Sequence, residues 1–192
     1  MRTLVEYCFV EVQWTTKSYS MHACVHDWTL AGLNKRVDLD SYWYAFDCVA
    51  SSIDRDEWQF LGHLRHSRLA RYAARLAHDR FIKAGLLNEI TDDRVEEAEY
   101  IAHLLQEQVQ LTAAAVMFQQ ALAGKEKALG PDHTSTLRTV NNLGLLYRDQ
   151  GKLDKAEGMY MRALAGNEKA LGPDHTLTLG TVNNLGVLYH DG

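Results

Sequence analysis

Histidine and cysteine are the residue types in this chain best suited to hold a metal ion, and three of them alternate near its start. His22, Cys24 and His26 offer imidazole and thiolate ligands of the kind zinc prefers. A strand would place all three on one side, but a helix is predicted from Ala23 onwards, and it separates them. No fourth ligand follows at a zinc-binding spacing. We therefore expect ordinary histidines, a packing cysteine and no metal.

A second group joins histidine to aspartate, as a general acid–base pair would. His133 follows Asp132, and His175 follows Asp174 forty-two residues later. Catalysis at such a pair needs a pocket and a nucleophile, and it needs them at one place only. Because the pair is repeated, we interpret both copies as parts of a structural loop. We expect no catalytic residue, and the chain is not predicted to be an enzyme.

Phosphate binding would require a glycine-rich loop that ends in Lys-Ser or Lys-Thr. The nearest approach is Gly151-Lys152, which is followed by Leu153 and lies at a predicted turn between two helices. The chain by itself is therefore expected to hold no nucleotide tightly and to need no cofactor.

The charge balance argues against nucleic acid as a partner. The net charge is −5 over 192 residues, so no overall attraction to phosphate is expected. Six basic residues share one predicted helix, but the segment that follows it, up to Glu99, is acidic. The six are Arg65, Arg68, Arg71, Arg75, Arg80 and Lys83. We interpret them as a solvated face or as partners of the neighbouring acidic helix.

Composition is that of a globular protein, with 46% hydrophobic and 23% charged residues. No apolar run reaches the roughly eighteen residues of a transmembrane helix, so no membrane contact is expected. The three cysteines, Cys8, Cys24 and Cys48, are odd in number and match no disulfide framework. These features predict a reducing, cytoplasmic location.

The elements that position these residues are set by an internal repeat. The stretch Leu129-Gly130-Pro131-Asp132-His133-Thr134 returns at residues 171–176, and residues 117–150 match residues 159–192 at 25 of 34 positions. A fixed period of this length indicates a solenoid of helix pairs. We expect units at 94–133, 134–175 and 176–192, the first divergent and the last truncated.

In the second unit, helix A is predicted at about 135–149 and helix B at about 153–170, with the turn at Gln150-Gly151. Val109 stands where this unit has Gly151, so the turn of the first unit is less sharply specified. Gly172 is expected to end helix B in the left-handed α conformation, and Pro173 to prevent its continuation. Asp174 or Thr176 is expected to cap the next helix.

Small residues at helix crossings, such as Gly144, Ala156 and Ala163, alternate with large ones such as Tyr147 and Tyr160, which is the tetratricopeptide pattern. With forty-two residues and the Gly-Pro-Asp-His-Thr loop, the repeats over 94–192 resemble the kinesin-light-chain type. That resemblance implies a mainly α fold, a TPR-type α-solenoid whose helix A lines a concave, partner-binding groove.

Paired asparagines lie in the middle of each helix A, where asparagine is unfavourable. One of each pair, Asn142 and Asn184 by the resemblance, would face the groove and bind peptide backbone. Alternatively, these amides satisfy backbone groups in the neighbouring unit and only support the fold. The remaining candidate partner-binding residues are Arg138, Asn141, Arg148, Asn183 and His190.

Residues 37–90 are predicted to form a helical connector that packs under the first unit. One helix is expected at about 41–53, and it carries Trp43, Tyr44, Phe46, Val49 and Ile53. A second is expected at about 57–83, with an apolar stripe at Leu69, Tyr72, Ala73 and Leu76.

Residues 1–36 alternate apolar and polar side chains over 8–14 and again over 18–22, which predicts a β-hairpin followed by a helix. Here Met21-His22-Ala23-Cys24-Val25-His26-Asp27-Trp28 resembles the segment that closes the winged-helix part of fungal NB-ARC proteins, which are NLR-like nucleotide-dependent switches. The resemblance implies a winged-helix remnant, with His22 as the nucleotide sensor of a longer protein. Ala23 departs from the Met-His-Asp form of plant relatives.

The last predicted helix has no helix B after it, so the apolar face formed by Val182, Leu185, Val187, Leu188 and Tyr189 is expected to lack a cover. Either fraying after about Thr178 or self-association through this end is expected. The sequence thus predicts a non-catalytic module that binds a protein or peptide. It would be the partner-sensing part of an NLR-like switch or, alternatively, a kinesin-light-chain-like cargo adaptor.

Overall fold

The computed structural model describes residues 10–13, 18–21, 39–51, 53, 62–77 and 94–191. The chain divides into two compact units, Met1–Tyr44 and Ala45–Gly192.

The first of these two compact units, Met1–Tyr44, contains a two-stranded antiparallel hairpin. Strand β1 is Val10–Gln13 and strand β2 is Ser18–Met21, with Val10 opposite Met21 and Val12 opposite Tyr19. The alternation of apolar and polar residues therefore predicted the hairpin, because side chains of period two fall on one face. The helix expected after Ala23 lies outside the described residues, and the assignment to a winged helix stays a prediction.

Helix α1, Leu39–Ser51, begins two residues earlier than predicted. Its buried side chains recur at helical spacing and include Trp43, Phe46 and Val49, with Ile53 buried beyond its end. The side chain of Tyr44, by contrast, is exposed. One residue advances a helix by about 100°, so the position after buried Trp43 turns towards solvent.

Helix α2, Gly62–Leu76, is the described part of the predicted helix at 57–83. Among its side chains from residue 69 onwards, which the structure describes, those of Ala70, Ala73 and Leu76 are buried, whereas those of Leu69 and Tyr72 are only half-buried. Ala73 and Leu76 of the predicted stripe are therefore buried, whereas its larger members Leu69 and Tyr72 are partly exposed. Of the basic face, the described side chains of Arg71 and Arg75 are exposed.

Five further helices form the repeats. They are α3, Val95–Glu107; α4, Leu111–Leu129; α5, Thr134–Asp149; α6, Leu153–Leu171; and α7, Thr176–Asp191. Each packs on the next, and α2 packs on α3 and α4. Arg94 adds a two-pronged ion pair with Asp47 of α1, with both N–O distances at 2.8 Å. These helices form a mainly α solenoid of helix pairs, as predicted.

The turns between helices A and B have the same backbone in both complete units. Gln110 N donates to Leu105 O, and Lys152 N donates to Tyr147 O, both at 2.8 Å. Such a bond closes a Schellman motif, whose penultimate residue adopts a left-handed conformation. Gly151 has a φ of 70°, and Val109 has a φ of 58°. The repeat therefore imposes on a β-branched residue a conformation suited to glycine.

We expect Val109→Gly to raise the free energy of unfolding by about 1 kcal/mol. A non-glycine residue in this region costs about 1–2 kcal/mol, and glycine's extra freedom in the unfolded chain returns part of that gain. The valine side chain is 75% exposed, so little burial is lost. Urea unfolding measures the change. Gly151→Val is the reciprocal variant and is expected to destabilise; a lower stability for Val109→Gly would contradict the argument.

The Gly-Pro-Asp-His-Thr loop ends one unit and starts the next. Gly130 and Gly172 have φ, ψ of 93°, 161° and 90°, 165°. The prediction of a left-handed α stop at Gly172 is wrong in ψ, because a residue before proline is driven to extended ψ values. The resulting combination is one that glycine alone adopts readily.

The cap of the following helix is also different from the prediction. His133 Nδ1 accepts a hydrogen bond from Ser135 N, and His175 Nδ1 accepts one from Leu177 N, both at 3.2 Å. Histidine, rather than Asp174 or Thr176, therefore caps, because the helix begins at the threonine directly after it. Thr136 and Thr178 secure the loop by donating to Gly130 O and Gly172 O.

Glycines mark the closest helix crossings. A Cβ at Gly144 would lie 2.7 Å from the ring of Tyr160, and one at Gly166 would lie 2.5 Å from Leu137. The equivalent crossing in the first unit brings Gly124 against Val95. The predicted small-to-large packing is therefore present in both units.

Helix α7 is continuous to Asp191, and its outer apolar face is exposed at Leu179, Val182, Val187 and Tyr189. Leu185 and Leu188, however, are buried, so the prediction that they lack a cover is wrong. Their equivalents in α5, Leu143 and Leu146, are buried as well.

Candidate functional site

Four of the predicted partner-binding residues meet at one pocket. Arg138 and Asn141 of α5 and Asn183 and Asn184 of α7 line a cavity of about 240 Å³ between the second and third units. Its other lining residues are Asn167, Thr176, Leu177, Gly180 and Thr181. The side chains that line it come from three helices, α5, α6 and α7.

Arg148 and His190 occupy equivalent positions in α5 and α7, but they do not line this pocket. Arg148 is half-buried, and its Nη2 lies 3.3 Å from Asp149 Oδ1. His190 is exposed near the end of α7. Their assignment to partner binding remains a prediction.

The two asparagines singled out by sequence link successive helices A. Asn184 Nδ2 donates to Asn141 Oδ1 at 3.2 Å. Asn142 Nδ2 lies 3.5 Å from Glu99 Oε1 and 3.4 Å from His103 Nε2. The amides therefore contact side chains of the preceding unit rather than the backbone groups expected under the supporting-role alternative. Both are only half-buried, so a ligand retains access to them.

A buried ionic cluster between the first and second units was not predicted. Lys125 of α4 is 3% exposed and donates to the carboxylate of Glu99, which is 7% exposed in α3. Thr139 of α5 completes a triangle, accepting from Lys125 Nζ and donating to Glu99 Oε1, both at 3.0 Å. Arg138 Nη2 approaches the same carboxylate at 3.7 Å. Three helices thus converge on one charge pair.

Two side chains at this interface, Glu99 and His103, have shifted pKa values. Burial by itself raises the pKa of Glu99, but the hydrogen bond and charge of Lys125, with Thr139 and Arg138, outweigh it and lower the pKa. Burial lowers the pKa of His103, and the nearby carboxylates of Glu99 and Glu107 only partly oppose it. The ring of His103 also packs edge-on against Phe118, with centroids 5.0 Å apart. Folding therefore favours an ionised Glu99 and a neutral His103.

We expect this histidine to make stability fall in mild acid. Its folded pKa lies below the ordinary value of 6.5, so the unfolded chain binds more protons, and stability present above pH 6.5 is lost as pH falls through the folded pKa. The slope in that window is at most about 1.4 kcal/mol per pH unit, the value for one proton. His103→Leu, which copies Leu145 of the next unit, should remove this slope. Urea unfolding of both proteins between pH 5 and 7.5 measures it; parallel profiles would contradict it.

At the second interface, between the second and third units, neutral residues occupy the positions equivalent to the charged residues of this cluster. Shifting by forty-two residues places Asn141 at the position of Glu99, Asn167 at that of Lys125 and Gly180 at that of Arg138. Thr181 repeats Thr139. The charges of the first interface are thus replaced together, and this joint replacement is the sequence signal from which the buried cluster was detectable.

His22, Cys24 and His26 lie outside the described residues. Among the residues that the structure does describe, no three or more histidine, cysteine or acidic side chains come together as metal ligands. Within the same part of the chain, none of the helices has the length and apolar character needed to span a bilayer.

Successive helix pairs that repeat every forty-two residues define an α-solenoid repeat protein. The family model for the tetratricopeptide repeat matches residues 94–169 and 141–192, which together span just over half of the chain. The chain therefore belongs to the tetratricopeptide repeat family.

Among solved structures, the chain is similar to BtubC (BKLC) from P. vanneervenii. The TM-score is 0.50 at 22% identity, over 78% of this chain and 66% of that one. The chain thus spans slightly less than two thirds of that protein's length, and the likeness concerns the fold. No curated protein matches the chain.

Proposed function

We propose that this chain is a non-catalytic interaction module that binds an extended peptide across its helices A. Membership of a repeat family whose folds are typically non-catalytic supports this proposal. The observation that carries it is the meeting of Arg138, Asn141, Asn183 and Asn184 at one pocket. Arg138 is 57% exposed despite its contact with Glu99, so its guanidinium can still donate to a partner.

The test separates binding from support of the fold. A phage-displayed peptide library is panned against the purified chain, and the affinity of a selected peptide is measured by calorimetry. Arg138→Ala with Asn183→Ala is expected to weaken that peptide at least tenfold while the melting temperature stays the same, because both side chains are exposed. Lys127→Ala, exposed on α4, is the matched control and should change neither quantity.

Asn142→Ala with Asn184→Ala addresses the alternative role. These side chains contact both the preceding unit and the accessible surface, so the proposal expects a lower affinity together with a lower melting temperature. If peptide affinity is intact and only the melting temperature falls, these two amides support the fold alone. Unchanged affinity in Arg138→Ala with Asn183→Ala as well would contradict peptide binding on this surface.

The finer proposal is that the module senses a partner for an NLR-like nucleotide-dependent switch in the cytoplasm. The segment Met21-His22 to Asp27-Trp28 supports it through its resemblance to NB-ARC proteins, with His22 as the sensor. This chain alone is expected not to bind nucleotide, because it has no phosphate-binding loop. Calorimetry with ADP checks this; micromolar affinity would contradict it. Genomic sequence that encodes a phosphate-binding loop upstream would support the switch.

A kinesin-light-chain-like adaptor that grips cargo peptides is the second candidate. The loop type and the similarity to BtubC (BKLC) favour it. Heptad repeats encoded upstream would distinguish this candidate from the switch.

Self-association through α7 also belongs to the proposal. Leu179, Val182 and Tyr189 are exposed, while their counterparts Leu137, Val140 and Tyr147 in α5 are buried. Exposed apolar surface of this kind favours association. Sedimentation equilibrium is expected to show concentration-dependent dimers, and Val182→Lys should abolish them. A strict monomer at high concentration would contradict self-association.

A further inference from the structure

The outer side of α7 contains an empty hollow at a glycine. The equivalent hollow in α5 lies at Gly144, where an added Cβ would be 2.7 Å from the ring of Tyr160 in α6. Gly186 of α7 stands forty-two residues later, and a Cβ added there would meet no atom within 4 Å among the described residues. The third unit therefore exposes a hollow that the second unit fills with a side chain.

The apolar side chains beside this hollow fit an inverted copy of the same helix. Four exposed residues of α7 are three, four and three positions apart, which places them on one side of the helix: Leu179, Val182, Gly186 and Tyr189. This spacing is the same in both directions. If a second α7 packs antiparallel about a two-fold axis beside Asn184, Val182 of each copy lies opposite Gly186 of the other. Leu179 then lies opposite Tyr189, so each hollow receives one branched side chain.

The charges of α7 favour a second copy over a charged partner. Residues 176–189 include no acidic, basic or histidine side chain. Two copies therefore meet along this side without repulsion between like charges, and no charge selects a partner of opposite sign. The antiparallel orientation also brings the positive N-terminal end of each helix dipole towards the negative C-terminal end of the other.

We infer that two copies of this chain associate through antiparallel α7 helices, with Val182 of each copy in the hollow at Gly186 of the other. The inference rests on the proposed self-association and adds its orientation and register. A two-fold interface uses the same surface on both chains, so the assembly closes as a dimer. Asn184 faces the second unit, where its Nδ2 donates to Asn141 Oδ1. The dimer therefore leaves both peptide-binding surfaces accessible and is bivalent.

Disulfide trapping in the whole chain tests the orientation. A mixture of the Leu179→Cys and Tyr189→Cys proteins is oxidised at a concentration at which dimers form, and mass spectrometry identifies the linked peptides. A link between the two introduced cysteines is expected. Neither variant alone should link to itself at the introduced position, because the two copies of that position lie about 15 Å apart along an antiparallel pair, beyond the reach of a disulfide. Efficient self-linking of either variant would overturn the inference.

Two glycines of α7 separate the hollow from the general effect of a larger residue. Gly186→Leu is expected to weaken the dimer at least tenfold in sedimentation equilibrium, because leucine fills the space that Val182 of the other copy needs. Gly180→Leu is the matched control, since a Cβ at either glycine meets no atom within 4 Å and Gly180 lies outside this side of α7. It should leave the dimer unchanged. Full dimerisation of Gly186→Leu would overturn the inference, and so would an equal loss in both variants.

A different occupant of this side would also be detected. The probe is a synthetic peptide with the sequence of residues 152–172, which include the chain's own α6. A chain that stays monomeric and binds this peptide, with a saturable ¹⁵N shift of the Gly186 amide, would overturn the dimer in favour of a helix of the B type. A chain that stays monomeric without binding it would overturn the inference as well.

Calorimetry with the library-selected peptide separates the dimer from the proposed peptide binding. One peptide per chain is expected at concentrations at which the dimer persists, because Asn184 faces away from the two-fold interface. A monomer that still binds the peptide would overturn the dimer alone. A trapped antiparallel dimer for which the library yields no binder would overturn peptide binding while the dimer stands.

Discussion

Replacing Glu99 by asparagine is expected to destabilise the chain by about 3–5 kcal/mol, because it leaves the ammonium group of Lys125 buried without its counter-charge. Lys125 is almost completely enclosed, and its remaining contact is the neutral hydroxyl of Thr139. Lys125→Asn should cost less, since Arg138 at 3.7 Å can still compensate the carboxylate of Glu99. Urea unfolding followed by circular dichroism measures both variants.

The double variant Glu99→Asn with Lys125→Asn copies the neutral pair Asn141 and Asn167 of the next interface. It removes both charges together, so we expect it to recover most of the loss caused by Glu99→Asn alone. The double-mutant cycle should then give a coupling of at least about 2 kcal/mol. Additive losses would contradict a paired buried cluster.

The exposed ion pair between Lys169 and Asp132 is the control for this cycle. Its N–O distance of 2.8 Å is that of a good ion pair, but both groups are solvated. Neutralising both partners should leave the urea midpoint unchanged, because solvent screens exposed pairs. The contrast between the two pairs therefore measures burial rather than the mere presence of opposite charges.

The repeat made much of this fold predictable. Helices A and B of the second unit were predicted to within one residue at each end. The two loops that begin at Gly130 and Gly172 bound this unit, because glycine followed by proline ends a helix. The tetratricopeptide pattern of small and large residues predicted that Gly144 would be a crossing point. The ψ of Gly172 was missed although the information is local, since Pro173 excludes the left-handed α values.

The buried cluster shows what a single sequence conceals. Glu99 looks like one more acid in an acidic segment, and Lys125 looks like one more solvated lysine near the end of a helix. Their burial depends on α3, α4 and α5 meeting at one point, which no window along the chain records. Likewise, Leu185 and Val182 belong to one apolar pattern in α7, and only the position of the neighbouring unit makes one buried and the other exposed.

Gly166→Ala is expected to destabilise the chain by about 1–3 kcal/mol, although alanine is the better helix former. The added Cβ would lie 2.5 and 2.6 Å from the two Cδ atoms of Leu137, which is buried and closely packed. Overpacking of this size costs more than the roughly 1 kcal/mol that alanine contributes over glycine within a helix. Thermal and urea unfolding both measure the result.

Gly158→Ala makes the same chemical change in the same helix and isolates the steric cause. A Cβ at Gly158 meets no atom within 4 Å, so helix propensity alone applies and a gain of up to about 1 kcal/mol is expected. Leu137→Ala combined with Gly166→Ala should cost less than the two single losses together, because the shortened side chain admits the new methyl group. If Gly166→Ala stabilises as Gly158→Ala does, the close approach of α5 and α6 at this crossing is not what requires glycine there.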